Sequence, residues 1–388
     1  MRRFGLAIAG LAAALALTAC GGGGAGAPTS AAPTTGESTA APAGDTLVGV
    51  AMPTQTSERW IADGEAVKAG LEAAGYKVDL QFANDDIPTQ TQQVDAMITA
   101  GAKALIIAAI DGTALTSQLQ AAADAGIKVI AYDRLIRDSA NVDFYVTFDN
   151  YAVGVAQATA LLAGMGVTDR DGKAAGTAEK GQNIEVFAGS LDDNNAHLFW
   201  KGAQDTLKPF IDDGTLVVKS GQTTIEQAAT LRWLQETAQK RMEDLLTSTY
   251  GGTGEGLKGV LSPYDGISRG IITALQGVGM GPMIADGLPI VTGQDAEIAS
   301  VKLIQDDVQS STIFKDTRNL AEQAVVATQA FLGGTAPEAN DTETYDNGVK
   351  VVPSYLLPVV TVYTDNIQKE LVDTGYWTAE EVESGVAS

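Results

Sequence analysis

The sequence predicts an α/β fold of two similar lobes, each a parallel sheet covered by helices. Three observations lead there. Short apolar runs alternate with helical patterns over short connections, which favours a parallel, doubly wound sheet. The alternation pauses at a Gly/Ala/Lys-rich stretch (171–182) and then restarts. Strand after strand ends in a polar cluster, the place where open α/β sheets gather ligands. Ile127-Lys128-Val129-Ile130-Ala131-Tyr132-Asp133-Arg134 is the plainest case, a β-branched run after Gly126 that stops at an acid and a guanidinium.

In chain order, the first strand is expected over 46–52, and Trp60, Gly64, Val67, Leu71 and Ala74 recur at helical spacing until Gly75 stops the helix. A strand over 77–82 leads through Asn84-Asp85-Asp86-Ile87-Pro88 into a helix capped by Thr89. Strand 104–110, helix 114–125, strand 127–132 and strand 142–147 follow, and Asp149 opens a helix through Met165. The second series comprises strand 184–187, a helix from about Asn195, strand 216–219, an unbroken helix 226–247, strand 259–261, helix 267–278 and strand 290–292. Helix 297–305, strand 311–314, helix 317–332 and apolar runs at 349–352 and 359–363 complete the chain.

The 388 residues, 45% apolar, suffice for two domains with real cores. A net charge of −23, from 48 acids and 25 bases, argues against nucleic acid as a partner and against an anionic membrane surface. One cysteine, Cys20, and one histidine, His197, leave neither a disulfide framework nor a His/Cys zinc cluster, so no metal or other cofactor is expected.

Arg2-Arg3, an apolar run over 4–17 and the small residues before Cys20 form an export signal. Leu17-Thr18-Ala19-Cys20 is similar to the lipobox of bacterial lipoproteins, which implies a signal peptide over 1–19 and lipidation at Cys20. Without Arg2 and Arg3 the bases number 23 against 48 acids, a mature charge of −25. The Gly/Ala/Pro/Ser/Thr stretch that follows has too little apolar surface to fold, so 20–45 is expected to be the lipidated cysteine and a flexible linker.

Enzyme signatures are scarce. The first strand leads into Pro53-Thr54-Gln55-Thr56 without a dinucleotide glycine fingerprint, and neither a P-loop nor a Gly-x-Ser-x-Gly elbow occurs. Gly251-Gly252-Thr253-Gly254-Glu255-Gly256 precedes a strand and reads as a surface loop; Asp169-Arg170-Asp171-Gly172 lacks the later ligands of a calcium loop and reads as a turn. What recurs is Arg59-Trp60, Asp133-Arg134, Asp192-Asp193-Asn194-Asn195, Arg232-Trp233, Tyr264-Asp265, Gln294-Asp295 and Lys315-Asp316. Taken singly, each is a helix cap, a core indole or a solvated ion. Together they describe a cleft of acids, amides and cations with indole faces, suited to a neutral polyhydroxylated ring.

Glu58-Arg59-Trp60, 108–113 (AAIDGT), 131–136 (AYDRLI), Phe148-Asp149-Asn150, 192–196 (DDNNA), Leu231-Arg232-Trp233, 261–266 (LSPYDG), 293–296 (GQDA) and 311–316 (STIFKD) carry a resemblance across nearly all of the mature body. The chain resembles the ribose-binding family of periplasmic substrate-binding proteins, most closely its D-xylose and multiple-monosaccharide branch. That resemblance implies a type I periplasmic binding protein fold: two Rossmann-like lobes with parallel sheets, joined by a three-segment hinge. The expected crossovers near 147, 316 and 353 divide the body into an N-terminal lobe (46–147 plus 316–353) and a C-terminal lobe (148–315 plus 354–388). It further implies sugar contacts from Arg59, Trp60, Asp133, Arg134, Asp193, Asn195, Trp233, Asp295 and Lys315, to which strand-end position adds Asp265. Tyr264 departs from the Asn of ribose and xylose relatives and favours the multiple-sugar branch. The implied role is a monomeric, lipid-anchored carrier that passes an aldopyranose to the permease and ATPase of an ABC importer and performs no chemistry. A sensor presenting the sugar-bound form to a membrane receptor or kinase is the alternative.

Overall fold

The computed structural model describes residues 43–176 and 178–387. The leader, Cys20 and most of the linker lie outside the described residues. Among those described, no helix is long and apolar enough to cross a membrane.

The first lobe alternates β1 (Leu47–Met52), α1 (Glu58–Ala73), β2 (Lys77–Phe82), α2 (Ile87–Thr99), β3 (Ala104–Ile107), α3 (Thr116–Asp124), β4 (Lys128–Tyr132) and β5 (Phe144–Phe148). The second continues with α4 (Asn150–Gly164), β6 (Gln182–Val186), α5 (Asn194–Asp212), β7 (Leu216–Val218), α6 (Ile225–Ala228), α7 (Gln235–Thr249), β8 (Leu257–Leu261), α8 (Asp265–Gly277), β9 (Ile290–Val291), α9 (Ile298–Gln305) and β10 (Thr312–Phe314). Then come α10 (Thr317–Leu332), β11 (Ser354–Leu357), β12 (Val360–Val362) and α11 (Ala379–Ser384).

The first sheet runs β11-β5-β4-β3-β1-β2, every pair parallel. Period-two alternation divides its side chains between two cores. Val48, Val50, Met52 and Ile106 pack beneath α1 and α10, whereas Ala51, Leu105, Ile107 and Val129 pack with residues of α2 and α3. The second sheet runs β7-β6-β8-β9 in parallel, and a bridge from Gln294 to Ile313 extends it to the antiparallel pair β10–β12. One of its faces packs on α7 and α8, the other on α4 and α5.

Three expectations change in detail. Asp86, not Thr89, caps α2: its carboxylate accepts the Thr89 N–H at 2.8 Å, so Thr89 is the third residue of the first turn. The last crossover falls beyond 353, because 354–357 pairs with β5 and the chain reaches β10 only at Val360. The helix expected over 226–247 is broken between α6 and α7, where Arg232 (φ 57°) and Trp233 (φ 59°) turn left-handed.

That break positions an aromatic. The Arg232 N–H donates to Ser190 Oγ at 2.8 Å, and the Trp233 ring lies so close over Gly189 that a Cβ there would stand 2.0 Å from it. Only glycine fits beneath the indole. α4 and α5 touch in the same way at Gly154 and Gly202, where added Cβ atoms would meet Phe199 O at 2.0 Å and Tyr151 O at 2.2 Å. This close crossing fixes α5, which carries Asn195 and Phe199.

Candidate functional site

In each sheet the next strands of the chain fall on opposite sides of the first, β2 and β3 flanking β1, β7 and β8 flanking β6. Such switch points open crevices at the carboxyl ends of the strands. The two crevices face each other across a cavity of about 230 Å³. Arg59 and Trp60 reach it from the segment after β1, Asp133 and Arg134 from the end of β4. The second lobe contributes Asp193 and Asn195 after β6, Trp233 from the helix break, Tyr264 after β8 and Asp295 after β9, and Lys315 follows β10.

At the centre stands Asp133, whose left-handed backbone (φ 58°) swings its carbonyl away from the ladder. That carbonyl accepts from Tyr145 Oη at 2.6 Å, Thr147 Oγ1 at 2.9 Å and, across the cleft, Asn195 Nδ2 at 2.8 Å. Its carboxylate lies 3.1 Å from Arg59 and 3.7 Å from Lys315. Asp295 likewise stands 3.5 Å from Arg59 and 3.1 Å from Lys315. Arg134 pairs with Asp193 at 3.0 Å, and Asp193 also caps α5 through the Asn195 N–H. Burial raises the Asp133 acid against its charge, but Arg59, Lys315 and Arg134 together bring it below the ordinary range, so it stays ionised. Burial lowers Arg59 too, yet Asp133, Asp63 and Asp295 hold its pKa well above the ordinary value.

Backbone strain gathers here. Asp85, Asp133, Arg232, Trp233 and Asp295 all line the cavity and all have positive φ. Non-glycine residues persist in that region only where their surroundings enforce it, which is characteristic of binding sites.

The aromatic walls differ. Trp233 stands edge-to-face with Phe199 and Tyr264, both at 6.2 Å, and its buried indole N–H has no hydrogen-bond partner among the described residues. Trp60 belongs to the first core as well as to the cavity, with the guanidinium carbons of Arg59 and Arg134 at 4.3 and 5.1 Å from its ring centre.

Nine of the ten expected contact residues line this cavity; Asp265 does not. As the first residue of α8 it turns inward, where its carboxylate accepts from Gln309 at 2.8 Å, the Glu297 N–H at 3.0 Å and Thr312 at 3.1 Å. Burial, reinforced by Glu297, pushes its acid well above the ordinary carboxylate value. Tyr264 takes the cavity position instead.

Sequence reading also missed Glu297, two residues past Asp295. This buried carboxylate accepts from Tyr264 Oη at 2.5 Å, Arg269 at 2.6 Å and, from the other lobe, Ser57 Oγ at 2.7 Å. Ser57 stands before α1 without capping it, because its hydroxyl is engaged across the cleft. Beside it, Glu58 accepts the Ile298 N–H at 2.6 Å, placing an acid at the amino end of α9. Ser57 and Glu58 therefore tie the two lobes together at one edge of the cavity.

Behind Arg59 lies Asp63, fully buried, bonded to Arg59 at 2.9 Å and to the Tyr132 hydroxyl. Burial raises its acid from 3.8 to about 6, with Arg59 and Tyr132 opposing. The folded chain thus holds this proton more tightly than the unfolded chain, so the contribution to stability is full below about pH 4 and lost as pH rises through 6. At about 1.4 kcal/mol per unit, wild type should lose roughly 3 kcal/mol relative to Asp63→Asn between pH 4 and 7. Urea unfolding of both proteins across that range checks this; a pH-independent difference would contradict it.

Among the described residues no group of His, Cys, Asp or Glu is arranged to hold a metal ion. The cavity instead offers paired charges, an amide and aromatic surface, groups that can donate and accept hydrogen bonds side by side.

Known proteins share both the pattern and the fold. The family model described as a periplasmic binding protein domain matches residues 48–336. The multiple sugar-binding periplasmic receptor ChvE of Rhizobium radiobacter is 55% identical over 335 residues, 86% of this chain and 92% of the receptor. The D-xylose-binding periplasmic protein of Escherichia coli K12 is 34% identical over 343 residues, 88% of this chain and 94% of that protein. Among solved structures, an ABC transporter solute binding protein from Clostridium phytofermentans with bound β-D-glucose superposes with a TM-score of 0.81 at 44% identity, covering 87% of this chain and all of that one. The expected fold class and branch are borne out, and the chain belongs to the periplasmic binding protein family.

Proposed function

We propose that the protein captures a monosaccharide, an aldopyranose such as D-glucose, D-galactose, D-xylose or arabinose, between its two lobes and delivers it to an ABC importer. The observation that carries this reading is the ring of ion pairs from both lobes, Arg59–Asp133, Lys315–Asp295 and Arg134–Asp193, beside the aromatic surface of Trp233. Acids accept and cations donate, so vicinal hydroxyls on a neutral ring satisfy both, while the ring's C–H faces suit an indole. The sugars in the names of the relatives and the glucose in the Clostridium structure support the same class of ligand. Asp265 acts behind the contacts, orienting Gln309, Thr312 and the Glu297 backbone. The protein binds and releases; it is not an enzyme.

A thermal-shift panel of monosaccharides tests the reading. Ligands that bind only the native state raise its melting temperature, so at least one aldopyranose should raise it in a concentration-dependent way; flat responses throughout would refute it.

Delivery fits attachment outside the membrane through a lipidated Cys20. A single acyl chain anchors only marginally, so a multiply acylated cysteine is expected. Cys20→Ser should move the protein from the membrane fraction to the soluble one, and full retention in the membrane would refute the anchor.

A further inference from the structure

From the layout of the cavity we infer, on the reading that it holds an aldopyranose, that Asp85 accepts a hydrogen bond from the exocyclic hydroxymethyl of a hexose and favours hexoses over pentoses. The cavity has two ends. One is closed by Arg59, Asp295 and Lys315, all nearly inaccessible. At the other, the Arg232–Asp192 ion pair (2.5 Å) is about a fifth exposed, and Asp85 sits half-buried in the wall.

The seven charged or amide groups of the inner set, Arg59, Asp133, Arg134, Asp193, Asn195, Asp295 and Lys315, are enough to engage the four hydroxyls of a pentopyranose. A hexose adds one substituent that projects beyond the ring, and the partly open end is where a longer group fits. Asp85 is built for a contact there. Asn84 and Asp85 are consecutive left-handed residues (φ 52° and 59°), held by the Asp85 N–H donating to Pro53 O at 2.8 Å. The inner acids Asp133, Asp193 and Asp295 each have a cation within 4 Å, whereas no ion pair engages Asp85 among the described residues. Burial raises its acid, opposed by a hydrogen bond from Thr54 and by the charges of Arg134 and Arg232.

Calorimetry with D-glucose and D-xylose, which differ only by the C5 hydroxymethyl, tests the assignment on the wild-type protein, Asp85→Asn and Asp85→Gly. Both replacements tolerate positive φ. In Asp85→Gly glucose should bind about 10- to 100-fold more weakly, the range for one charge-assisted hydrogen bond, with xylose within about twofold; Asp85→Asn should fall between. An unchanged glucose-to-xylose ratio in Asp85→Gly, or wild type that binds xylose but not glucose, overturns the role of Asp85 alone. Wild type that binds neither sugar overturns this inference, and the aldopyranose reading falls with it only when D-galactose and L-arabinose fail to bind as well.

Discussion

Asp133→Ala should weaken sugar binding by at least about a hundredfold while both lobes remain folded. Its carboxylate lies between Arg59 and Lys315, so truncation removes a ligand acceptor and leaves two buried cations short of a counter-charge. Each hydrogen bond to a charged acceptor contributes roughly 1.5–3 kcal/mol, and a carboxylate can accept from two neighbouring hydroxyls at once. Asp133→Asn, which suits the left-handed backbone and keeps an acceptor oxygen, should retain more affinity than Ala but far less than wild type. The carbonyl of residue 133 still receives Tyr145, Thr147 and Asn195 in both variants, so circular dichroism should be unchanged. Calorimetry that gave wild-type affinity for Asp133→Ala would place the site elsewhere.

Trp233→Ala is the second large effect. An indole facing a pyranose contributes apolar contact worth roughly 2–3 kcal/mol, so affinity should fall by about 30- to 150-fold. Trp233→Phe should keep part of the binding, because Phe199 and Tyr264 still frame the wall. The chain has four tryptophans, Trp60, Trp200, Trp233 and Trp377. Sugar should change the intrinsic fluorescence saturably, and Trp233→Phe should remove most of that change. A full signal in Trp233→Phe would identify another indole as the reporter, with Trp60 the other one that lines the cavity.

Much of this architecture is legible in the sequence because buried parallel strands announce themselves. β1, β3 and β4 are β-branched or apolar runs with glycine or polar stops, and the ends of β1 and β4 lead into Arg59-Trp60 and Asp133-Arg134. β11 escapes notice because Ser354-Tyr355-Leu356-Leu357 follows Pro353, lies at the edge of its sheet and is only partly buried. The break around Arg232-Trp233 has no glycine or proline to mark it; it arises from Ser190 and Gly189, some forty residues earlier. Asp265 was placed by the strand-end rule, but helix α8 begins at that residue and rotates its side chain from the cleft toward Gln309. Asp85 and Glu297 are acids in turns, and what distinguishes them, the lack of an ion pair among the described residues in one case and contacts across the cleft in the other, exists only in three dimensions.

The lobe-bridging bonds of Ser57 and Glu58 imply that the structure corresponds to lobes closed around the cavity, with the crossovers at 148–150, 314–317 and 357–360 as the hinge. The claim on which the account rests is that this cavity holds an aldopyranose. Isothermal titration of the purified protein with D-glucose tests it most directly, with D-galactose, D-xylose and L-arabinose in parallel. The account predicts saturable binding of one sugar per chain, abolished or strongly weakened by Asp133→Ala; no saturable heat with any of the four sugars would contradict it.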